Sequence, residues 1–328
     1  MPQLDPTERI LRLRMVPVFR TMPAATLAAL AGSLRPRTFE RGEALLREGE
    51  PPRSFFLVSE GVVRMERKGR RIGIVRAPGG VGFLPLLARD AGATRAVAQS
   101  FVDAYEVPGE ALEEIFEDDF SVLLATMRWI ADRLLVEMKS APAPPYVPPD
   151  PPWPAPPEDR ELGLVERIYL LRQTRAYGRA NVNSLARIAR RMKEERHAPG
   201  ATIWSPGDPS DSTCFVVAGM GRLLSEEGQK VQIVGPGYVV GGTESLLGVP
   251  RWNAFVADEP VLLLRGQREA MIDTWEDDRE LAGNFLALVA TFLVSVWDRK
   301  AEQGLTSIGA PDSVPGGQLE PPEAPGGP

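Results

Sequence analysis

Two glycine-rich stretches carry the residue types from which an anion site can be built. One reads Gly241-Gly242-Thr243-Glu244-Ser245 and is followed by Pro250-Arg251. The other reads Gly79-Gly80-Val81-Gly82-Phe83-Leu84-Pro85-Leu86-Leu87 and is followed by Arg95. A glycine turn that enters a short helix offers free backbone N–H groups, and an arginine supplies the cation for a phosphate or carboxylate. The residues able to do this chemistry are Gly242, Thr243, Glu244 and Arg251 in one stretch, and Gly82 and Arg95 in the other. No acidic or basic residue lies between Gly79 and Ala88, so the run from Phe83 to Leu87 also reads as apolar packing. The plainer reading of Arg251 is a cation on a surface loop.

Other site chemistry is thinly supplied. The 328 residues include one cysteine, Cys214, and one histidine, His197. A single thiol excludes an intrachain disulfide framework and fits a reducing compartment, so a cytoplasmic location is expected. With so few soft ligands, neither a metal site nor a Cys/His nucleophile pair is expected, and no phosphate-loop signature appears. The chain therefore reads as non-enzymatic. Cys214 lies in the apolar run DSTCFVVAG, which suits a small buried side chain. A formal net charge of −6 argues against nucleic acid as a partner. The run from residue 281 to 297 is uncharged but short for a bilayer and includes Asn284, Thr291 and Ser295. It is expected to be a buried or partner-packed helix, not a membrane span. The N-terminus shows no apolar signal-like stretch.

These residues must be held by two similar blocks. The sequence from Gly42 matches the sequence from Gly200 without gaps, at an offset of 158 residues. Gly42, Gly49, Pro51, Ser54, Val58, Gly61 and Arg64 recur as Gly200, Gly207, Pro209, Ser212, Val216, Gly219 and Arg222, which indicates an internal duplication. Each block opens on helical pattern, continues as short strands separated by glycine, and closes on a long helix. Between the blocks, ten of the seventeen residues from 141 to 157 are proline. Proline fixes φ and lacks an N–H, so a polyproline spacer of about 50 Å is expected if the segment is fully extended. The expected domains are residues 1–140 and 161–302, with a linker at 141–160 and a disordered Gly/Pro-rich tail at 303–328.

The pattern GEALLREGEPP followed by FFLVSEGVVR resembles the cyclic nucleotide-binding domain of catabolite-activator-type regulators and protein kinase A regulatory subunits. The opening VPVFRTMPAATLAALA is similar to that family's entry helix. The resemblance covers about 10–138 and, more weakly, 163–300. It implies an α+β fold of two β-jelly-roll domains, each flanked by N- and C-terminal helices and joined by the Pro-rich linker. It also implies a phosphate-binding cassette in which a Gly-Glu pair opens a small helix, the Glu accepts a ribose hydroxyl, and a Pro-Arg pair places the Arg on the cyclic phosphate. Both stretches depart from this. In the first, Phe83 follows Gly82 where the Glu belongs, and Thr94 falls on the Arg position with Arg95 one step beyond. In the second, Gly242 takes the Gly position with Thr243 in place of the Glu, or Gly241 takes it with Gly242 in place of the Glu; Arg251 matches the Arg.

The function these features imply is a regulatory or scaffold protein acting through protein–protein contacts of two degenerate domains, with no cofactor. The alternative is a sensor of cyclic AMP, cyclic GMP or another small anion that uses the second domain. The apolar helix at 279–300 is expected to bind a protein partner or a second copy through Phe285, Leu288, Phe292 and Val296. The tail segment GLTSIGA, residues 304–310, resembles the cargo tails of encapsulin shells. It reads either as disordered chain or as a flexible tether that docks on a larger assembly.

Overall fold

The computed structural model describes residues 5–14, 19–20, 22–90, 92–141, 143–150, 152–153 and 155–303. They form two compact units. The first holds the described residues up to Arg133 together with those from Leu286 onward, and the second is Leu134–Phe285.

The first unit begins with α1 (Pro6–Leu13) and α2 (Ala24–Ser33). Asp5 caps α1 by accepting the Glu8 N–H at 2.9 Å, and Pro6 sits at the first helical position, where its missing N–H costs nothing. Leu27, Leu30 and Ala31 form the buried face of α2. Eight strands follow: β1 (Arg35–Phe39), β2 (Ala44–Leu46), β3 (Ser54–Glu60), β4 (Val62–Arg67), β5 (Arg70–Arg76), β6 (Gly79–Val81), β7 (Thr94–Ala98) and β8 (Val102–Pro108). A short helix, α3 (Phe83–Leu87), is inserted before β7, and α4 (Gly109–Asp118) and α5 (Phe120–Ser140) follow β8, with α5 passing into the second unit at Leu134. The strands make two four-stranded antiparallel sheets, ordered β1-β8-β3-β6 and β2-β7-β4-β5. β4 alternates strictly between partly exposed and buried residues, as a sheet with one inner face requires. The core between the sheets includes Leu46, Val58, Val63, Met65, Val81, Ala96 and Ala104. Gly61 turns the chain from β3 to β4 at φ 98°, and a Cβ there would lie 2.2 Å from the Phe101 carbonyl oxygen.

The second unit repeats this plan. It contains α6 (Leu164–Arg172), α7 (Val182–Arg191), β9 (Lys193–His197), β10 (Thr202–Trp204), β11 (Ser212–Ala218), β12 (Gly221–Leu224), β13 (Lys230–Val234), β14 (Val239–Val240), α8 (Gly242–Leu247), β15 (Ala254–Ala257), β16 (Val261–Gln267) and α9 (Arg268–Asp277). Its sheets are ordered β14-β11-β16-β9 and β10-β15-β12-β13. Gly219 repeats Gly61, with φ 80° and a Cβ position 2.1 Å from the Pro260 carbonyl oxygen. The expected α+β fold with two jelly rolls is therefore present.

The Pro-rich segment differs from a bare spacer. Its described residues form no helix or strand, but its aromatic side chains pack on the second unit. The Trp153 ring lies 5.3 Å from Phe215, and Tyr146 lies 5.3 Å from Tyr238. Backbone and side-chain hydrogen bonds at 3.4 Å join Val147 and Pro145 to the Tyr238 hydroxyl. Phe215 points to the outer face of β11, whereas its neighbour Cys214 lies in the core.

The last helix, α10 (Arg279–Glu302), spans the boundary between the units. Its first turns belong to the second, where Phe285 packs 5.2 Å from Tyr177 and 4.7 Å from Trp275. The remainder belongs to the first. There Asp298 accepts hydrogen bonds from Arg67 at 2.6 and 3.2 Å and an ion pair from Lys68 at 2.9 Å. Arg67 also donates to Asp90 and, at 2.7 Å, to Thr94. α10 is long and apolar enough to cross a membrane by length and composition, yet half of its most apolar window is buried inside the protein. Of the four proposed interface residues, Phe285 and Val296 are buried within the chain and Leu288 is half-buried. Phe292 is 42% exposed. Much of the helix is thus covered within the chain, in line with its reading as a buried or partner-packed helix, and Phe292 is the member of the four left exposed. The tail at 304–310 lies outside the described residues.

Burial alone would raise the Asp298 carboxyl, but hydrogen bonds from Arg67 and Lys68 outweigh it and hold the group below its ordinary value. Its contribution to stability is therefore complete above the ordinary carboxylate range and is lost as pH falls through the lowered value. Arg67→Met should reduce the unfolding free energy by about 3 kcal/mol in urea titrations at neutral pH, because two partly buried carboxylates lose their partner. It should also flatten the acid side of the stability profile.

Candidate functional site

Both units place a glycine in the left-handed region at the start of the inserted helix. Gly82 has φ 92° at the N-cap of α3, and Gly241 has φ 74° at the N-cap of α8. Only glycine adopts this geometry without strain. The strand pairing extends the match. Leu46 pairs with Ala96 between β2 and β7, as Trp204 pairs with Phe255 between β10 and β15. The Gly49 N–H donates to the Gly92 carbonyl at 2.9 Å, as the Gly207 N–H donates to the Arg251 carbonyl at 2.8 Å. The second repeat is thus one residue longer ahead of the cassette.

This register decides the open alternatives. Gly241, not Gly242, takes the glycine position, so Gly242 stands opposite Phe83. The counterpart of Arg251 is Gly92, not Thr94 or Arg95. Gly92 packs so tightly on Gly49 that a Cβ would sit 2.5 Å from the Gly49 Cα. Linear spacing back from the end of β8 places Thr94 at that position, because the length of the loop between α3 and β7 is fixed only by the Gly49–Gly92 contact.

In the first unit the cassette helix is apolar, with Phe83, Leu84, Pro85 and Leu87 buried. Phe83 is fully buried, with its ring 5.6 Å from Phe19, 5.1 Å from Phe55 and 6.0 Å from Trp129. All three contacts are edge-on, the favoured aromatic arrangement. Arg95 points away and pairs with Glu66 at 3.4 Å on an exposed strand face. Thr94 is buried and bonded to Arg67.

The second unit keeps a polar cassette. Arg251 is 2% exposed, which corrects its reading as a surface cation. One terminal nitrogen donates to the Gly241 carbonyl at 2.7 Å and the other to the Ser212 carbonyl at 2.5 Å. The guanidinium lies 4.4 Å from the Trp204 ring centroid, and its Nε has no hydrogen-bond partner. Trp204 donates through Nε1 to Asn253 at 3.2 Å, and Asn253 donates in turn to a Glu244 carboxylate oxygen at 3.5 Å. Glu244 is 4% exposed and Asn253 3%. The neighbouring Ser245 hydroxyl is buried without a partner. Burial raises the Glu244 carboxyl, against the pull of Arg251 and Lys139, and burial likewise lowers Arg251 against the pull of Glu244. Thr243 is partly exposed. Asn253 stands in sequence where the resembled family has a small residue, whereas Trp204 is marked only by its difference from Leu46 in the first repeat.

Among the described residues no cluster of His, Cys, Asp and Glu could hold a metal ion. Cys214 is buried, and burial pushes its thiol up to about 11.

The family model for the cyclic nucleotide-binding domain matches residues 36–119 and 194–278. Among solved structures, the regulatory domain of Toxoplasma gondii PKA with cAMP is 16% identical. It covers 92% of this chain and 98% of its own length, with a TM-score of 0.34. A regulatory subunit of a cAMP-independent protein kinase A from Trypanosoma cruzi, bound to guanosine, is 13% identical over 92% of this chain and 91% of its own, with a TM-score of 0.33. A cyclic nucleotide-binding domain from Methylobacillus flagellatus is 18% identical over 44% of this chain and 86% of its own, with a TM-score of 0.38.

Phe83→Ala should cost about 3–5 kcal/mol in denaturant unfolding, the range for removing a buried aromatic ring. Phe83→Leu, which keeps most of the apolar volume, should cost less.

Proposed function

Since the chain belongs to the cyclic nucleotide-binding domain family, we propose that it is a non-catalytic regulatory or scaffold protein whose two domains act through protein contacts. The observation that carries this reading is the filled first cassette. Phe83 occupies the position of the expected acid inside an aromatic cluster, and Gly92 leaves the expected cation absent. A buried phosphate without a matching cation loses its strongest contact, so this domain serves as a packing module. The half-buried Leu288 and exposed Phe292 lie four residues apart on α10 and offer a contact face for a protein partner or a second copy. The buried, unreactive thiol fits a cytoplasmic setting.

A second reading, a sensor of cyclic AMP, cyclic GMP or another small anion, is favoured by one observation. Arg251 retains a buried guanidinium with an unpartnered Nε in the second cassette.

Isothermal titration of the full chain with cyclic AMP and cyclic GMP should show no binding at millimolar ligand. Micromolar affinity abolished by Arg251→Ala would establish the sensor instead. Replacing Leu288 and Phe292 with glutamate should dissociate an oligomer or abolish partner recovery. Unchanged sedimentation together with unchanged partner recovery would remove α10 as the contact face.

A further inference from the structure

Arg251 and Glu244 are the two charged side chains buried at the second cassette, at 2% and 4% exposure. Carbonyl oxygens satisfy both terminal nitrogens of Arg251, but carbonyls carry no net charge to balance a guanidinium. No ion pair within 4.0 Å is formed by Arg251 among the described contacts. Several charged groups act on it through space. Glu244 contributes the largest attraction, ahead of Asp211, while Arg265 opposes. Glu244 is oriented by Asn253, Asn253 by Trp204, and Trp204 stacks on Arg251, so one chain of contacts links the two charges.

The internal repeat supplies a second, independent observation. In the register established above, Glu244 corresponds to Pro85 and Arg251 to Gly92. One repeat has both charges and the other has neither. A single buried charge without its counter-charge is strongly destabilising, so the two are retained or lost together. The neighbouring polar groups follow the same division, with Ser245 opposite Leu86 and Trp204 opposite Leu46.

We propose that Glu244 is the tethered counter-anion of Arg251 and that it excludes phosphate-bearing and carboxylate ligands from the second cassette. The carboxylate stands on the same short helix as Gly242, one turn from the glycine that carries an Arg251-bonded carbonyl. An incoming oxoanion would have to share the low-dielectric space with it, and two like charges repel there far more strongly than in water. This inference rests on the reading that the resting protein works without a nucleotide.

The test is thermal unfolding of the full-length chain. Glu244→Ala removes Cγ and the carboxylate, four heavy atoms, which sodium acetate replaces. Tens of millimolar acetate or inorganic phosphate should raise the melting temperature of Glu244→Ala by several degrees more than sodium chloride of equal ionic strength. The wild type should show no such anion-specific rise, and Glu244→Ala/Arg251→Met should lose it. An equal rise in wild type and variant, or none in the variant, overturns the proposal. Should Glu244→Ala fail to fold, Glu244→Gln, Arg251→Met and their double variant are compared by urea unfolding. Non-additive losses support the pairing and additive losses overturn it. Cyclic AMP binding by the wild type would count against the proposed function, whereas the acetate series reads the Glu244–Arg251 pairing separately.

Discussion

A guanidinium taken out of water must be answered by oxygen atoms of the same molecule, and this constraint organises both units. In the first, Arg67 projects from the buried parity of β4 and gathers Asp90, Thr94 and Asp298 around it. Those partners come from the cassette loop, from β7 and from α10, so one side chain holds three elements in register. In the second, Arg251 gathers the Gly241 and Ser212 carbonyls and the face of Trp204. The loop after α8 is thereby tied to the glycine before it and to the start of β11.

The two repeats show how one scaffold accepts opposite chemistry at one place. The demanding backbone features are kept in both: a left-handed glycine at the cassette N-cap, a glycine crowded against a carbonyl at the β3–β4 and β11–β12 turns, and the same strand orders. Side chains at the cassette diverged together. Apolar rings fill one site, where they gain from burial and edge-on contact. A polar network fills the other, where each member needs a partner. A mixture would strand a charge in an apolar core, which explains why the substitutions between the repeats are concerted.

The segments joining the blocks are also used structurally. The described residues of the Pro-rich stretch form no helix or strand, and Tyr146 and Trp153 pack on Tyr238 and Phe215 as a strap. Its aromatic residues, not its prolines, determine that outcome. α10 buries most of its apolar surface within the chain and ends on an ion pair with Arg67. Its strongly apolar composition is thus largely explained by intramolecular packing, with Phe292 the large side chain left open.

The duplication was legible in sequence because glycine and proline constrain the backbone locally, and the jelly-roll plan and the place of the cassettes were implied by the family resemblance that those residues carry. Gly61, Gly82 and Gly219 each mark a left-handed geometry that other residues resist, so the repeat of such glycines is visible in the sequence. The apolar fate of Phe83 was legible for a similar reason, since no charge accompanies it. What lay beyond sequence was decided by contacts between distant residues. The Gly92–Gly49 approach places the first cassette's missing arginine at Gly92, and strand pairing shifts the second cassette by one residue to Gly241. Burial of Arg251 beside Trp204, Asn253 and Glu244 depends on β10, α8 and β15 converging. A linear pattern records which charges a chain has; only the folded packing decides which of them leave water, and so which must find one another.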